Sequence, residues 1–109
     1  HEVVALDETD IIRDSMIQRF EFTYELGWKC MFYWLRDQGE NVLEMQRPIL
    51  QAAFRCELIH DPKVWEEIKE QRDETSHTYN EAKAVSVAAF IRSHALAEFD
   101  ALRVKFNSL

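Results

Sequence analysis

Apolar residues recur every three to four positions from about residue 11 to residue 38, which predicts one long amphipathic helix. Its first apolar stripe consists of Ile17, Phe20, Tyr24, Trp28, Met31 and Leu35, and the second, beside it, of Phe22, Leu26, Cys30 and Tyr33. A surface helix needs only one such stripe. The second stripe therefore favours a contact with another subunit, and Phe32, which interrupts the polar stripe, favours it further. A central helix in a monomeric bundle is the alternative.

Both ends of this helix carry local signals. Residues 1–9 have no sustained period, so we expect the helix to start after them, with Thr9 or Asp10 as its cap. Gly39 suits the position just after a helix end. On the polar side, Glu25 and Lys29 have the spacing of an ion pair one turn apart.

Three further helices follow from start signals and apolar spacing. Pro48 suits the first residue of a short helix that carries Ile49, Ala52, Ala53, Phe54 and Leu58. Asp61 and Pro62 form a capped start for a helix that runs to about residue 76. Asn80 can cap a last helix over about residues 81–106, lined by Val85, Ala88, Ala89, Leu96, Phe99 and Phe106. The pattern predicts an all-α, antiparallel up-and-down bundle of four helices in a single domain, 1–109.

The composition agrees with this fold and limits the function. With 109 residues, 47% apolar, and only two Gly and two Pro, the chain suits long helices and one core. No run of about 18 apolar residues occurs, and no signal peptide is visible, so we expect a cytoplasmic protein without a membrane partner. In that setting Cys30 and Cys56 are expected to be reduced, half-buried thiols. A net charge of −7 argues against broad binding to nucleic-acid backbone but leaves room for a small cationic pocket.

The chemically unusual stretch is residues 72–79. Arg72 continues the apolar stripe of Trp65 and Ile68, so a permanent cation points toward the packed side, where it must be paired or used. His77 follows five residues later, and on an ideal helix the two side chains are about 140° apart. Either the helix ends before His77 and brings it back, or a second subunit completes the site.

These residue types suit phosphate chemistry. The guanidinium of Arg72 can hold a phosphate through paired hydrogen bonds, and the imidazole of His77 can move a proton near neutral pH. Asp73, one turn before His77, could orient the ring. The structural alternative is an arginine tied to a neighbouring carboxylate and a histidine at a helix end. No metal site is expected, because Cys56 and His60 lack a second pair of ligands.

Several segments resemble a known family. Arg72, His77 and Tyr79 match the R-x4-H-x-Y motif of HEPN proteins, the helical partners of minimal nucleotidyltransferases. Residues 17–29, 52–54 and 64–65 resemble, in order, the branch called nucleotidyltransferase substrate-binding proteins. The resemblance implies an active site of Arg72 and His77 across a homodimer, with Tyr79 as the acceptor of AMP from the nucleotidyltransferase. Family members usually carry one more helix at the amino end, so we expect a further segment before His1.

Two functional hypotheses follow from the residues and the resemblance. The first is a homodimeric, metal-independent endoribonuclease, the toxin of a toxin–antitoxin pair with a minimal nucleotidyltransferase. The second is a non-catalytic subunit whose Arg72 and His77 bind a nucleotide or substrate for that enzyme. Neither hypothesis involves a cofactor. The chain itself lacks the Gly-Ser and paired Asp of a nucleotidyltransferase, so another chain would perform that reaction.

Overall fold

The chain forms a bundle built on one very long helix. The computed structural model describes residues 2–77 and 80–109, and for residues 2–9 and 77 it describes the backbone alone. The helices are α1 (Glu2–Asp37), α2 (Gln46–Arg55), α3 (Pro62–Glu74), α4 (Glu81–Phe90) and α5 (Leu96–Asn107). A 3-10 turn, Thr75–His77, follows α3, and a π-helical turn, Ile91–Ala95, joins α4 to α5. Because α4 and α5 form one rod, the described residues make four helical rods and no strand, which confirms the predicted all-α bundle.

Helix α1 starts earlier than its pattern predicts. It begins at Glu2, so the expected start after residue 9 is wrong. Asp10 does not cap a helix end but accepts a hydrogen bond of 2.9 Å from the guanidinium of Arg13. Residues 2–9 contain no Gly or Pro, so nothing in them stops a helix even though their apolar spacing is irregular. With 36 residues α1 is about 54 Å long, close to the 56 Å longest dimension of the molecule.

The core lies along one side of α1. All residues of the first predicted stripe are buried there except Trp28, which is half-buried: Ile17, Phe20, Tyr24, Met31 and Leu35. Trp65 of α3 is buried at the centre, with its ring centroid 6.4 Å from that of Tyr24 and 5.8 Å from that of Phe99. Phe32 is 6% exposed and belongs to this core. Its interruption of the polar stripe is therefore explained within one chain and is not evidence for a subunit contact.

Three other predicted helix boundaries agree with the structure, but α2 begins two residues before Pro48 and ends before Leu58, and Phe54 is exposed. Gly39 adopts a φ of 88°, the left-handed conformation that glycine accepts after a helix end. The side chain of Asp61 accepts a hydrogen bond of 3.2 Å from the amide of Val64, and Asn80 does the same for Lys83. Both caps are confirmed. None of the helices in the described part of the chain is long and apolar enough to cross a membrane.

The last rod places only part of the predicted set of residues inward: Ala88 is buried, and Phe99 and Phe106 are partly buried against the core. Its buried residues are Ala84, Val87, Ala88, Ile91, Ala95 and Leu102. Val85, Ala89 and Leu96, which were expected to line the core, are exposed. The buried residues Ala84, Ala88, Ile91, Ala95 and Leu102 recur every three, four or seven positions, so one stripe with a constant helical period runs along the whole rod. Val85, Ala89 and Leu96 each follow a buried alanine by one residue, so the predicted stripe was turned by about 100° from the buried one. Alanine is a weak hydrophobic signal, and the larger apolar neighbours were chosen in its place.

The hydroxyl of Tyr24 is a buried polar group with one clear partner. It donates a hydrogen bond of 2.6 Å to Oε1 of Gln46 at the start of α2, and the side chain is fully buried. Burial raises the pKa of Tyr24 above its ordinary value of 10.0, and the carboxylate of Glu25 raises it further. The phenol is therefore neutral in the folded protein at pH values where an unfolded chain would ionise it.

This predicts a specific loss of stability in alkaline solution. Above pH 10 the unfolded state releases the Tyr24 proton and the folded state keeps it, so the free energy of unfolding falls by about 1.4 kcal/mol per pH unit from this group. Urea unfolding between pH 9 and about pH 11 would measure the slope, with Tyr24→Phe as the comparison and Tyr33→Phe, an exposed tyrosine, as the control. Equal slopes for the wild type and Tyr24→Phe would contradict the assignment.

Candidate functional site

Arg72 lies at the end of α3 with its guanidinium against α1. It follows the buried side chains of Trp65 and Ile68 around the helix, and its own side chain is 27% exposed, so the cation points toward the packed side as predicted. Its Nη1 lies 3.4 Å from Oε2 of Glu21, and its Nε lies 3.3 Å from Oε1 of Glu25. The charge is therefore compensated by two carboxylates of α1.

Thr75 ties the same guanidinium to the end of α3. Its hydroxyl donates a hydrogen bond of 2.6 Å to the carbonyl oxygen of Arg72 and accepts one of 3.1 Å from Nη1 of that residue. Thr75 is 6% exposed and is the one buried polar residue in the described part of the chain. The 3-10 turn that it begins is where α3 stops being an α-helix.

The second half of the motif is only partly described. The α-helix ends at Glu74, three residues before His77, which confirms the expectation that α3 ends before this residue. His77 closes the 3-10 turn, and its backbone alone is described. Thr78 and Tyr79 lie outside the described residues. The approach of His77 to Arg72 and the role of Tyr79 stay predictions.

Asp73 lies in different surroundings from Arg72. It is exposed, and its Oδ2 lies 3.2 Å from Nζ of Lys69, one turn earlier. It lines a groove of about 620 Å³ between α3 and α4, which Glu70 and Lys83 also line. Arg72 does not line that groove. Asp73 as a support for His77 therefore stays a prediction that depends on the position of the imidazole.

Arg72 opens instead onto a groove along α1. The groove has a volume of about 530 Å³ and is lined by Gln18, Glu21, Phe22, Glu25, Leu26, Lys29 and Arg72. Phe22 stands on its edge and is 77% exposed. Side chains of the types that bind phosphate and stack on bases, a guanidinium and an aromatic ring, thus lie within one groove, although two carboxylates share it.

Glu21 and Glu25 are the site residues that the sequence analysis missed. Both belong to the polar stripe of α1 and look like ordinary solvated residues. The expected pair of Glu25 with Lys29 is absent from the described ion pairs: Glu25 accepts a hydrogen bond of 3.1 Å from Trp28 Nε1 and contacts Arg72, while Lys29 lies over the Trp28 ring, 6.0 Å from its centroid. The available signal was an inward-pointing arginine together with two carboxylates one helical turn apart.

A second, apolar surface borders this groove. We call it the α1–α5 strip, and it follows two adjoining grooves of about 510 Å³ each. Its exposed apolar members are Ile11, Ile12, Leu26, Cys30 and Leu96, with Phe99 and Phe106 partly buried beneath them. Leu26 also lines the Arg72 groove, so the two surfaces are continuous. Both cysteines are free, and Cys30 is exposed rather than half-buried.

Comparison with known proteins supports the family suggested by the motif. A family model described as "Nucleotidyltransferase substrate binding protein like" matches residues 2–108. The chain is also 36% identical over 92 residues to a protein of Haemophilus influenzae named "Probable ribonuclease HepT", and this alignment covers 77% of the chain and 63% of the relative. The chain thus spans less than two thirds of that relative's length. Because the family model covers almost every residue, the chain belongs to the nucleotidyltransferase substrate-binding family of HEPN proteins.

Proposed function

We propose that this protein is a metal-independent endoribonuclease that acts as a homodimer, the toxin of a pair with a minimal nucleotidyltransferase. The observation that carries the proposal is Arg72, a partly buried guanidinium held at the wall of an open groove five residues before His77. The motif fits a HEPN ribonuclease, and the relative named as a probable ribonuclease supports the same activity.

The chemistry needs only groups that the chain and RNA supply. His77 takes the proton from a 2′-hydroxyl, and the 2′-oxygen attacks the adjacent phosphorus. The bond to the 5′-oxygen of the next nucleotide breaks, and that oxygen takes a proton from water, while the imidazolium of His77 returns its proton to water. Negative charge grows on the non-bridging oxygens during this step, and Arg72 stabilises it through charge-assisted hydrogen bonds. The products are a 2′,3′-cyclic phosphate and a 5′-hydroxyl end.

One specific observation favours the alternative of a non-catalytic binding subunit. The Arg72 groove contains two carboxylates as well as two cations, in a protein of net charge −7. This balance suits a small ligand held by specific hydrogen bonds better than a long polyanion held by charge. In that case Arg72 and His77 would bind a nucleotide or present a substrate to the nucleotidyltransferase, as the family description suggests.

We infer that a second copy of the chain covers the α1–α5 strip. Exposed apolar side chains recur along the strip from Ile11 and Ile12 to Leu26 and Cys30, on a helix nearly as long as the molecule, and such a surface is typical of a protein contact. Leu26 lies on both the strip and the Arg72 groove, so a partner on the strip would border Arg72. This position agrees with an active site completed across a homodimer.

RNA cleavage tests the proposed activity. The purified protein should cut RNA in the presence of EDTA, and Arg72→Ala and His77→Ala should each lower the rate by about 100-fold or more, because each removes a group that acts on the transition state. Arg47→Ala and His60→Ala, which change exposed residues away from the groove, serve as matched controls and should cut like the wild type. An inactive wild type whose nucleotide binding is lost in Arg72→Ala would establish the binding subunit instead.

Light scattering tests the dimer. Leu96 is 53% exposed and lines both grooves of the strip. The variant Leu96→Glu should convert the dimer to a monomer at micromolar concentration, because the interface would bury the new carboxylate without a partner. Val85→Glu is the control, since Val85 is 50% exposed but lies outside these grooves. A wild type that is monomeric at this concentration would contradict the inference.

Mass spectrometry tests the role of Tyr79. Incubation with ATP, Mg²⁺ and the minimal nucleotidyltransferase should add AMP to the wild-type chain and lower its ribonuclease activity, because the bulky anion would repel the RNA phosphate. Tyr79→Phe lacks the acceptor oxygen and should gain no AMP. Tyr33→Phe keeps Tyr79 and should be modified like the wild type. Modification of Tyr79→Phe to the same extent would assign the acceptor elsewhere.

A further inference from the structure

The two carboxylates beside Arg72 contact different atoms of one guanidinium. Glu21 lies against Nη1 and Glu25 against Nε, and Thr75 accepts a hydrogen bond from Nη1 as well. Glu21 and Glu25 are four residues apart on α1, so both face the same side of the helix. No described residue takes a hydrogen bond from Nη2 of Arg72.

We propose that Glu21 and Glu25 are positioning residues, which hold the guanidinium of Arg72 in one orientation and leave Nη2 for the phosphate of the substrate. This inference depends on the proposed ribonuclease function, in which Arg72 is the group that touches the phosphate. Neither carboxylate is a catalytic residue in this account, because each acts on RNA only through Arg72.

The physical reason lies in the flexibility of arginine. Its side chain has many rotamers, and its planar fork stabilises a phosphate only when its N–H groups point at the oxygens. A guanidinium that is already oriented before RNA binds avoids that loss of freedom, and a displacement of about 1 Å at such a group can cost about 100-fold in rate. Contacts on Nε and Nη1 restrict rotation of the guanidinium plane while the third nitrogen stays available.

The contact with Glu25 has room to tighten. Nε of Arg72 is buried and lies 3.3 Å from the Glu25 oxygen, but the pair does not meet the geometry of a hydrogen bond. The attraction is therefore chiefly Coulombic in this state. Hydrogen bonds in active sites are commonly long before the substrate is bound and shorten in the complex.

Positioning and simple electrostatics predict opposite results when a carboxylate is neutralised. Two negative charges beside a phosphate-binding group weaken the attraction for RNA, so their removal alone would raise kcat/KM. If the carboxylates orient Arg72, their removal lowers kcat although the attraction for RNA increases. If Glu21 and Glu25 had only a structural role, neutralising them would lower the melting temperature but would not lower kcat while KM stays equal or decreases.

The test measures RNA cleavage by the full chain with Glu21→Gln, Glu25→Gln and the double variant. We expect kcat to fall about 10-fold to 100-fold while KM stays equal or decreases. In an Arg72→Lys background the same changes should have no further effect on kcat, since the fork to be oriented is absent. Asp14→Asn is the matched control, an exposed carboxylate on the same side of α1 seven residues before Glu21, and it should behave like the wild type.

A second measurement follows the Arg72 side chain directly. The Arg72 signals in ¹⁵N NMR spectra can be assigned as those lost in Arg72→Lys. If the carboxylates restrict rotation of the Arg72 guanidinium, its two Nη nitrogens should give separate resonances in the wild type and one merged resonance in Glu25→Gln. An unchanged kcat, or separate resonances that persist in the double variant, would overturn the inference. If the wild type cuts no RNA, the proposed function fails by itself, and the NMR comparison alone then decides whether the carboxylates hold Arg72.

Discussion

The length of α1 is the constraint on which the rest of this structure depends. The helix has 36 residues and apolar side chains on two sides, while α2 and α3 have only 10 and 13 residues. These two short helices and the longer rod of α4 and α5 can cover one side of such a helix and build a core around Trp65 there. The other side stays exposed, with the α1–α5 strip along it. The surface proposed for the second copy thus results from the length of α1 and from its apolar residues on two sides, and needs no special local feature.

The same helix determines the electrostatics of the site. A guanidinium in a partly buried position is costly unless carboxylates compensate it, and a protein of net charge −7 has many carboxylates on its surface. Among the ion pairs of the described residues, those of Arg72 are with the carboxylates at positions 21 and 25 of α1. A guanidinium that is both compensated and fixed attracts polyanions weakly at a distance. It can still bind one phosphate specifically at short range, which suits the ribonuclease proposed above.

Much of this arrangement follows from the sequence, and the exceptions have physical causes. The caps at Asp61 and Asn80 and the inward Arg72 were predictable, because each depends on local chemistry or on a few turns of regular spacing. The start of α1 was not, because irregular apolar spacing hides a segment that simply contains no helix breaker. Glu21 and Glu25 were missed because a helical stripe shows which residues share a side but not what lies opposite. The placement of His77 beside Arg72 remains a prediction from the motif.

The π turn at Ile91–Ala95 affects how the chain can tolerate changes in length. The turn lies within one buried stripe, in which Ile91 and Ala95 precede Leu102. Deletion of one residue within the turn would restore a regular α-helix and would look harmless for helix formation. It would nevertheless turn α5 by about 100° relative to α4, so that Leu102 would leave the core and a neighbouring side of α5 would face inward. In this fold a single deletion in the last rod therefore changes which residues of α5 face the core and which face solvent, whereas most point substitutions there alter only one side chain.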